Sequence, residues 1–207
     1  MRVLTVSILA MLAATATFAQ QWEIGGSAGG SLLNTVSATG ATAGFAPGFV
    51  AGAFVGNSFS SRFSGELRYE YLRSDLQLAS GGQTARFNGV AHAVHYDVLY
   101  HFNSSEARTQ FFAAVGAGMK LFSGTGAEEA YQPLSQYGYF TKTNQVRPMV
   151  SAGGGVSFRL APRVALRAEI RDVMTPFPTH VLTPAPGVHF GGFLNDIVPM
   201  VSVEYVH

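Results

Sequence analysis

Between Arg62 and Leu72 the chain reads Arg-Phe-Ser-Gly-Glu-Leu-Arg-Tyr-Glu-Tyr-Leu. Successive side chains of a β-strand point to opposite faces. A strand here puts Phe63, Gly65, Leu67, Tyr69 and Tyr71 on one face, and Arg62, Ser64, Glu66, Arg68 and Glu70 on the other. The same pattern returns about eight times along the chain, with long and short connections alternating between the repeats. Strands with one apolar and one charged face can close into a soluble barrel or into a membrane barrel. Which face is turned outward decides the function.

The chain opens with Met1-Arg2, an apolar run from Val3 to Ala14, and small residues at Thr15, Ala16, Thr17 and Ala19. This is the layout of a secretory signal with Thr17 and Ala19 at the −3 and −1 positions, so residues 1–19 are expected to be removed and Sec-type export follows. The run is shorter than the roughly 20 residues a spanning helix needs, and no other segment is apolar for long enough. About 190 residues then remain, from Gln20 to His207, enough for one domain. Loss of Arg2 takes the basic count from 13 to 12 against 12 acidic residues. A neutral mature chain gives no reason to expect a nucleic-acid partner. The chain contains no cysteine, which excludes disulfides, thiolate metal sites and a lipidated Cys.

The charged fraction decides the orientation. At 12% it is about half of what soluble domains carry. A soluble all-β domain must cover its whole outer surface with polar groups, whereas a barrel facing lipid needs charge in its lumen and loops alone. The first strand begins at Gln21 and the second covers about Gly48 to Gly56. The third is the opening motif, and the fourth alternates Val94, Tyr96, Val98, Tyr100 and Phe102 against His95, Asp97, Leu99 and His101. Strands five to eight run near Phe111–Leu121, Val146–Leu160, Val164–Arg171 and Asp196–Tyr205. Long loops are read at about Asn34–Ala46, Arg73–Arg86, Ser123–Gln145 and Met174–Phe193, and short turns at Asn57–Ser61, Asn103–Arg108 and Ala161–Arg163. Outer-membrane barrels have even strand counts, short periplasmic turns and longer external loops. Trp22, Phe63, Tyr100, Phe102, Phe111, Phe158 and Tyr205 all fall near the short-turn end, as a periplasmic aromatic girdle would.

On these residues the chain resembles the small eight-stranded outer-membrane β-barrel family that includes the OmpA transmembrane domain, OmpX and the opacity proteins. The resemblance spans Gln21 to His207. It is carried above all by Pro47-Gly48-Phe49-Val50-Ala51-Gly52-Ala53-Phe54-Val55-Gly56-Asn57, which runs into Gly65-Glu66-Leu67-Arg68-Tyr69-Glu70-Tyr71. The ending Val201-Ser202-Val203-Glu204-Tyr205-Val206-His207 looks like the family's C-terminal assembly signal, although the family usually closes on an aromatic residue and this chain closes on His207. The resemblance implies recognition of that strand by the barrel-assembly machinery, residence in the outer membrane among phospholipid and lipopolysaccharide, and heat-modifiable migration on gels. The expected fold is an all-β, antiparallel, up-and-down transmembrane barrel.

The lipid-facing rows hold no Lys, Arg or Glu in their centres, where such a charge costs about 2–4 kcal/mol. The inward rows collect Glu23, Glu66, Glu70, Asp97, Glu169, Asp196 and Glu204 with Arg62, Arg68, Lys120, Arg147, Arg159, Arg167 and Arg171, both signs in equal number. Eight strands enclose an interior that side chains alone can fill. A plugged lumen with paired charges is therefore expected, and a narrow charged pore is the alternative.

Candidate chemistry is sparse, and neither a catalytic residue, a cofactor nor a metal site is expected. Gly25-Gly26-Ser27-Ala28-Gly29 spells G-x-S-x-G, but within a strand and not at the strand-to-helix turn a nucleophile elbow requires. His95, Asp97 and His101 share a face, yet His95 and His101 lie about 20 Å apart along one strand, so a hydrogen-bond network is the expected role. His180 and His189 sit in a Pro-rich loop where a surface ligand site is the alternative to a stiff connection. His92 is the lipid-facing histidine, with no Ser evident beside it for a lipid-modifying enzyme. Glu128, Glu129, Tyr131, Tyr137, Tyr139 and Phe140 make the longest loop a candidate contact surface for a ligand or partner. The rival functions are an OmpW-like passage for apolar molecules, disfavoured by the small apolar content read on the inward rows, and a soluble lipocalin-like barrel.

Overall fold

The computed structural model describes residues 21–38, 40–104, 107–124 and 132–207; the signal segment and Glu128, Glu129 and Tyr131 lie outside the described residues. Every regular element described is a strand: β1 (Trp22–Leu33), β2 (Thr35–Ala38), β3 (Ala41–Phe45), β4 (Gly48–Ser58), β5 (Phe63–Arg73), β6 (Leu76–Ser80), β7 (Gln83–Phe87), β8 (Gly89–His101), β9 (Thr109–Gly124), β10 (Gly138–Phe140), β11 (Asn144–Ala161), β12 (Val164–Pro176), β13 (Leu182–Pro184) and β14 (Phe193–Val206). Eight of them form a closed antiparallel barrel in the order β1-β14-β12-β11-β9-β8-β5-β4, and β4 pairs back onto β1. The short turns and long connections alternate around it as the sequence requires.

Register follows from alternation. Glu66 pairs with Asp97 and Arg68 with His95 across β5 and β8. Phe54 of β4 lies opposite Arg68, and Gly153 of β11 opposite Arg171 of β12. A one-residue slip would turn every one of these groups into the membrane. Glycine clears room where the inward side chains are largest. A Cβ at Gly116 would meet the Asp97 carboxylate, and one at Gly118 would run into the Val94 carbonyl oxygen and lie 2.5 Å from the His95 Cβ. The ladder between β1 and β14 lapses at Gly30–Ser31 against Val198–Pro199, where Pro199 has no N–H to donate.

Turned outward are Ile24 (61% exposed), Val115 (61%), Leu67 (50%) and Ile170 (55%), while Glu66, Arg68 and Asp97 are fully buried. This is the inverse of a soluble barrel. Trp22, Phe63, Phe102, Phe111, Phe158 and Tyr205 are exposed at the short-turn end, with Tyr100 set between Phe63 and Phe102 at centroid distances of 5.2 Å to each.

The four long connections differ from the loops read in the sequence. They carry β2, β3, β6 and β7 as one four-stranded sheet, and β10 with β13 as a two-stranded one. Phe45, Leu76, Leu78, Phe140, Phe177, Leu182 and Phe190 build the core of this cap. That core is continuous with Val50, Leu72, Phe122, Met149, Val173, Leu194 and Val198, which line the outer half of the barrel interior. The expectation of little inward apolar content is therefore corrected. It fails most in the outer half, where the apolar cap needs an apolar surface to sit on, and the periplasmic half also buries Phe54 and the smaller cluster of Leu99, Phe112 and Ala114.

Leu67 lies near mid-wall and Glu66 beside it points inward. Leu67→Arg is expected to destabilise the folded protein by about 2–4 kcal/mol, read as a shift of the urea unfolding curve in lipid vesicles.

Candidate functional site

The conspicuous cluster lies in the periplasmic half of the lumen. Inward positions of β5, β8, β12 and β14, with Glu23 of β1 and Ser151 of β11, supply its members because strand period places alternate residues there. Arg68 donates from Nη2 to Glu66 Oε2 at 2.9 Å and from Nη1 to Glu169 Oε1 at 2.7 Å. Arg167 donates to Glu66 Oε1, and its Nη2 lies 2.7 Å from Glu204 Oε2 and 3.7 Å from Glu23 Oε1. Arg171 reaches Asp97 at 2.8 Å and Glu169 at 3.0 Å. His95 Nδ1 is 3.0 Å from Asp97 Oδ1, which also accepts from Ser151 at 2.7 Å, and His95 Nε2 is 3.8 Å from Glu70. Three guanidiniums are thus interleaved with carboxylates in one network. Such charges tolerate burial because each is held by several opposite partners.

Aromatic faces complete the packing. The Phe54 ring lies 4.7 Å from the Arg68 guanidinium carbon and 4.9 Å from that of Arg167, and Arg167 also covers Phe112 at 5.0 Å. A guanidinium sheds water onto a ring at little cost, since the π-face is negative. Neither ring was among the residues singled out from the sequence. The register that pairs Phe54 with Arg68 is the signal that could have found the first.

A second ionic site stands apart, nearer the cap. Lys120 donates to Asp196 Oδ2 at 3.0 Å, and Ser31 donates to Asp196 Oδ1 at 2.6 Å. Lys120 also sits over the Phe122 ring at 5.4 Å. The void among Ser31, Leu72, Lys120, Phe122 and Asp196 is about 10 Å³, at the lower edge of what one water needs.

The other basic residues read as inward are placed differently. Arg147 is half-buried at the outer rim and donates to the Phe177 carbonyl at 3.0 Å and to Thr179 Oγ1 at 3.2 Å, so it ties the wall to the cap. Arg159 is half-buried at the periplasmic mouth. Arg62 is exposed in the turn before β5, beside the Tyr100 hydroxyl and the Phe102 carbonyl. The equal count of inward charges is corrected accordingly. Among the described residues, Glu23, Glu66, Glu70, Asp97, Glu169, Asp196 and Glu204 face Arg68, Arg167, Arg171 and Lys120, with His95 as the one further candidate cation. Arg62 lies in the turn outside the lumen, and Arg147 and Arg159 stand half-buried at the two ends of β11, so the buried network itself holds more acids than bases.

The remaining candidates fall as follows. His101 is not with His95; its Nε2 is 2.9 Å from Ser64 Oγ. Ser27 of the G-x-S-x-G stretch lies in the middle of β1, opposite Ser202. Phe140 is buried in the cap core, Tyr139 is exposed, and the Tyr137 ring approaches Gly40, whose φ is +80°. His180 holds the cap through its backbone, its N–H donating to Gln145 and its carbonyl accepting from Thr141 and Thr143. No three His, Asp or Glu side chains among the described residues converge to hold a metal ion.

A closed eight-stranded barrel with an apolar outer wall, a charged interior and one ringed rim defines a protein of the outer-membrane barrel class. Two solved structures share its fold: a major outer membrane protein from Thermus thermophilus (14% identity, TM-score 0.56, covering 92% of this chain and 100% of that one) and Neisserial surface protein A (13% identity, TM-score 0.53, covering 88% and 96%). The N-terminal β-barrel domain of Pseudomonas aeruginosa OprF is also similar, at 12% identity and a TM-score of 0.48 over 89% of this chain and 97% of that one. No curated protein matches the sequence. The family described as outer membrane protein beta-barrel domain matches residues 3–180, and the chain belongs to that family.

Arg68 stands between Glu66 and Glu169. Arg68→Met takes from Glu169 its shortest partner and leaves Glu66 dependent on Arg167, and it is expected to cost about 3–5 kcal/mol. The double variant Arg68→Met/Glu169→Gln is expected to lose less than the sum of the singles, as a double-mutant cycle on vesicle unfolding would show.

Proposed function

We propose that this chain is an integral outer-membrane protein that seals its own lumen and presents a folded cap at the cell surface, in a structural or contact role without catalysis. Residues 1–19 serve as a cleaved export signal, and the last strand, β14, delivers the barrel to the assembly machinery. The observation that carries the reading is the unbroken apolar core joining the cap to the outer half of the barrel. Beneath it lies an ion network in which Arg68, Arg167 and Arg171 are all fully buried.

Two stacked barriers oppose ion flow for different reasons. The periplasmic barrier is electrostatic: each guanidinium is already bound by carboxylates on more than one strand, and an entering ion would have to replace those contacts. The outer barrier is steric and dry, made of close-packed Leu, Phe and Val side chains. A transport reading would need an apolar path from the cap to the wall, and the outer half of the barrel is apolar but filled. The cap is the surface offered to the outside, where exposed Gln83, Thr84 and Arg86 of the edge strand β7 lie beside Gly81 and Gly82 in their turn.

Mature protein reconstituted in planar bilayers is expected to give no stable single-channel current, and a Thr84→Cys variant is expected to react with a membrane-impermeant maleimide on intact cells. Stable unitary currents from the purified chain, or labelling that requires cell lysis, would contradict the reading.

A further inference from the structure

The outer wall carries a polar cluster on β5 and β8 that sealing the lumen does not explain. His92 of β8 points to lipid and lies directly opposite Tyr71 of β5. Its Nδ1 is 2.8 Å from the Tyr69 hydroxyl, and the Tyr71 ring meets it edge-on at 5.5 Å between centroids. The ring is therefore held by two tyrosines with Nδ1 engaged, and Nε2 has no partner among the described residues. Arg73, two residues beyond Tyr71 on the same outward row, is exposed, and its side chain likewise has no partner among the described residues. Arg73 is the diagonal neighbour of His92, about 7–8 Å away. Asp75, half-buried at the start of the next connection, is the nearest acid along the chain.

Depth gives the cluster its meaning. Tyr71 lies eight residues above Phe63 of the periplasmic rim. At about 3.3 Å per residue and a tilt near 40°, that is roughly 20 Å up an apolar band about 25 Å tall. Arg73 then stands at the outer headgroup level, and His92 just beneath it. A polar nitrogen turned to hydrocarbon lacks the water that would satisfy it elsewhere. The opposite wall has the reverse charge: Asp172 of β12 faces outward there and accepts from Asn195 at 3.2 Å.

We propose that Arg73 and His92 form a site for the phosphoryl group of an outer-leaflet amphiphile, with Tyr69 as the positioning residue. The guanidinium offers a planar pair of donors that fits phosphate oxygens. With Nδ1 accepting from the Tyr69 hydroxyl, Nε2–H is left as the third donor. The apolar wall below takes the acyl chains. The site rests on the membrane orientation of the barrel and not on the sealed lumen, so it stands or falls separately from the absence of channel currents.

The test is native mass spectrometry of the purified full-length mature barrel released from nonionic detergent micelles. The micelles are doped with phosphatidic acid, phosphatidylcholine, diphosphorylated lipid A or dephosphorylated lipid A. The expected result is retention of one phosphorylated lipid, reduced about tenfold by Arg73→Gln or His92→Phe and less by Tyr69→Phe, with Asp172→Asn unchanged. Retention of phosphatidic acid alone assigns the phosphate to a glycerophospholipid, and retention of lipid A alone to a saccharolipid; either supports the site. Equal retention of phosphorylated and dephosphorylated lipids overturns it, as does phosphate-selective retention that survives both Arg73→Gln and His92→Phe. Migration shift on heating checks that each variant is folded.

Discussion

Three arginine side chains buried inside the barrel govern the rest of this structure. Arg68, Arg167 and Arg171 cannot be deprotonated and cannot be left bare, so each must be met by carboxylates from other strands. Glu66 lies within ion-pair distance of all three, Arg171 the farthest at 3.9 Å, and Glu169 serves Arg68 and Arg171. Since these partners stand on β5, β12 and, with Asp97 and Glu204, on β8 and β14, the network fixes the register of half the barrel. Close approach is possible because glycines at 116, 118 and 153 leave the facing wall without side chains.

The same constraint explains the two levels of the interior. Where the chain provides guanidiniums it must also provide acids and π-faces. Where it provides none, nearer the cell exterior, the cheapest filling is aliphatic and aromatic. The folded connections then have something to rest on, and what would be mobile loops become a cap with two small sheets. Arg147 belongs to this junction, because its bonds to Phe177 and Thr179 tie the barrel rim to the cap.

Barrel class, strand number and the outward turn of the apolar face were legible in the sequence, since each is written in period-two alternation. The opening motif alone separates Glu66 and Arg68 from Leu67 and Tyr69. The outer half was not legible for the same reason. At Leu72, Phe122, Val173 and Leu194 the inward side chain is itself apolar, and beside Leu72 and Val173 the outward neighbours Arg73 and Asp172 are charged, so the apolar-out alternation is lost just where the cap begins. Phe54 was hidden because its role comes from register with Arg68 across strands, not from its own neighbours. The even charge balance failed because parity says which way a residue points but not how deep along the strand it sits, which is how Arg62 came to be counted as lumenal.

Hydrogen exchange of arginine side chains, read from 15N spectra of the folded protein in micelles, addresses the dry, paired interior most directly. Resolved guanidinium protons on Arg68, Arg167 and Arg171 that persist for hours, against immediate exchange at exposed Arg86 and Arg108, is the result this account predicts. Rapid exchange at all five, with averaged signals for the buried three, would mean that water fills the lumen and would contradict it.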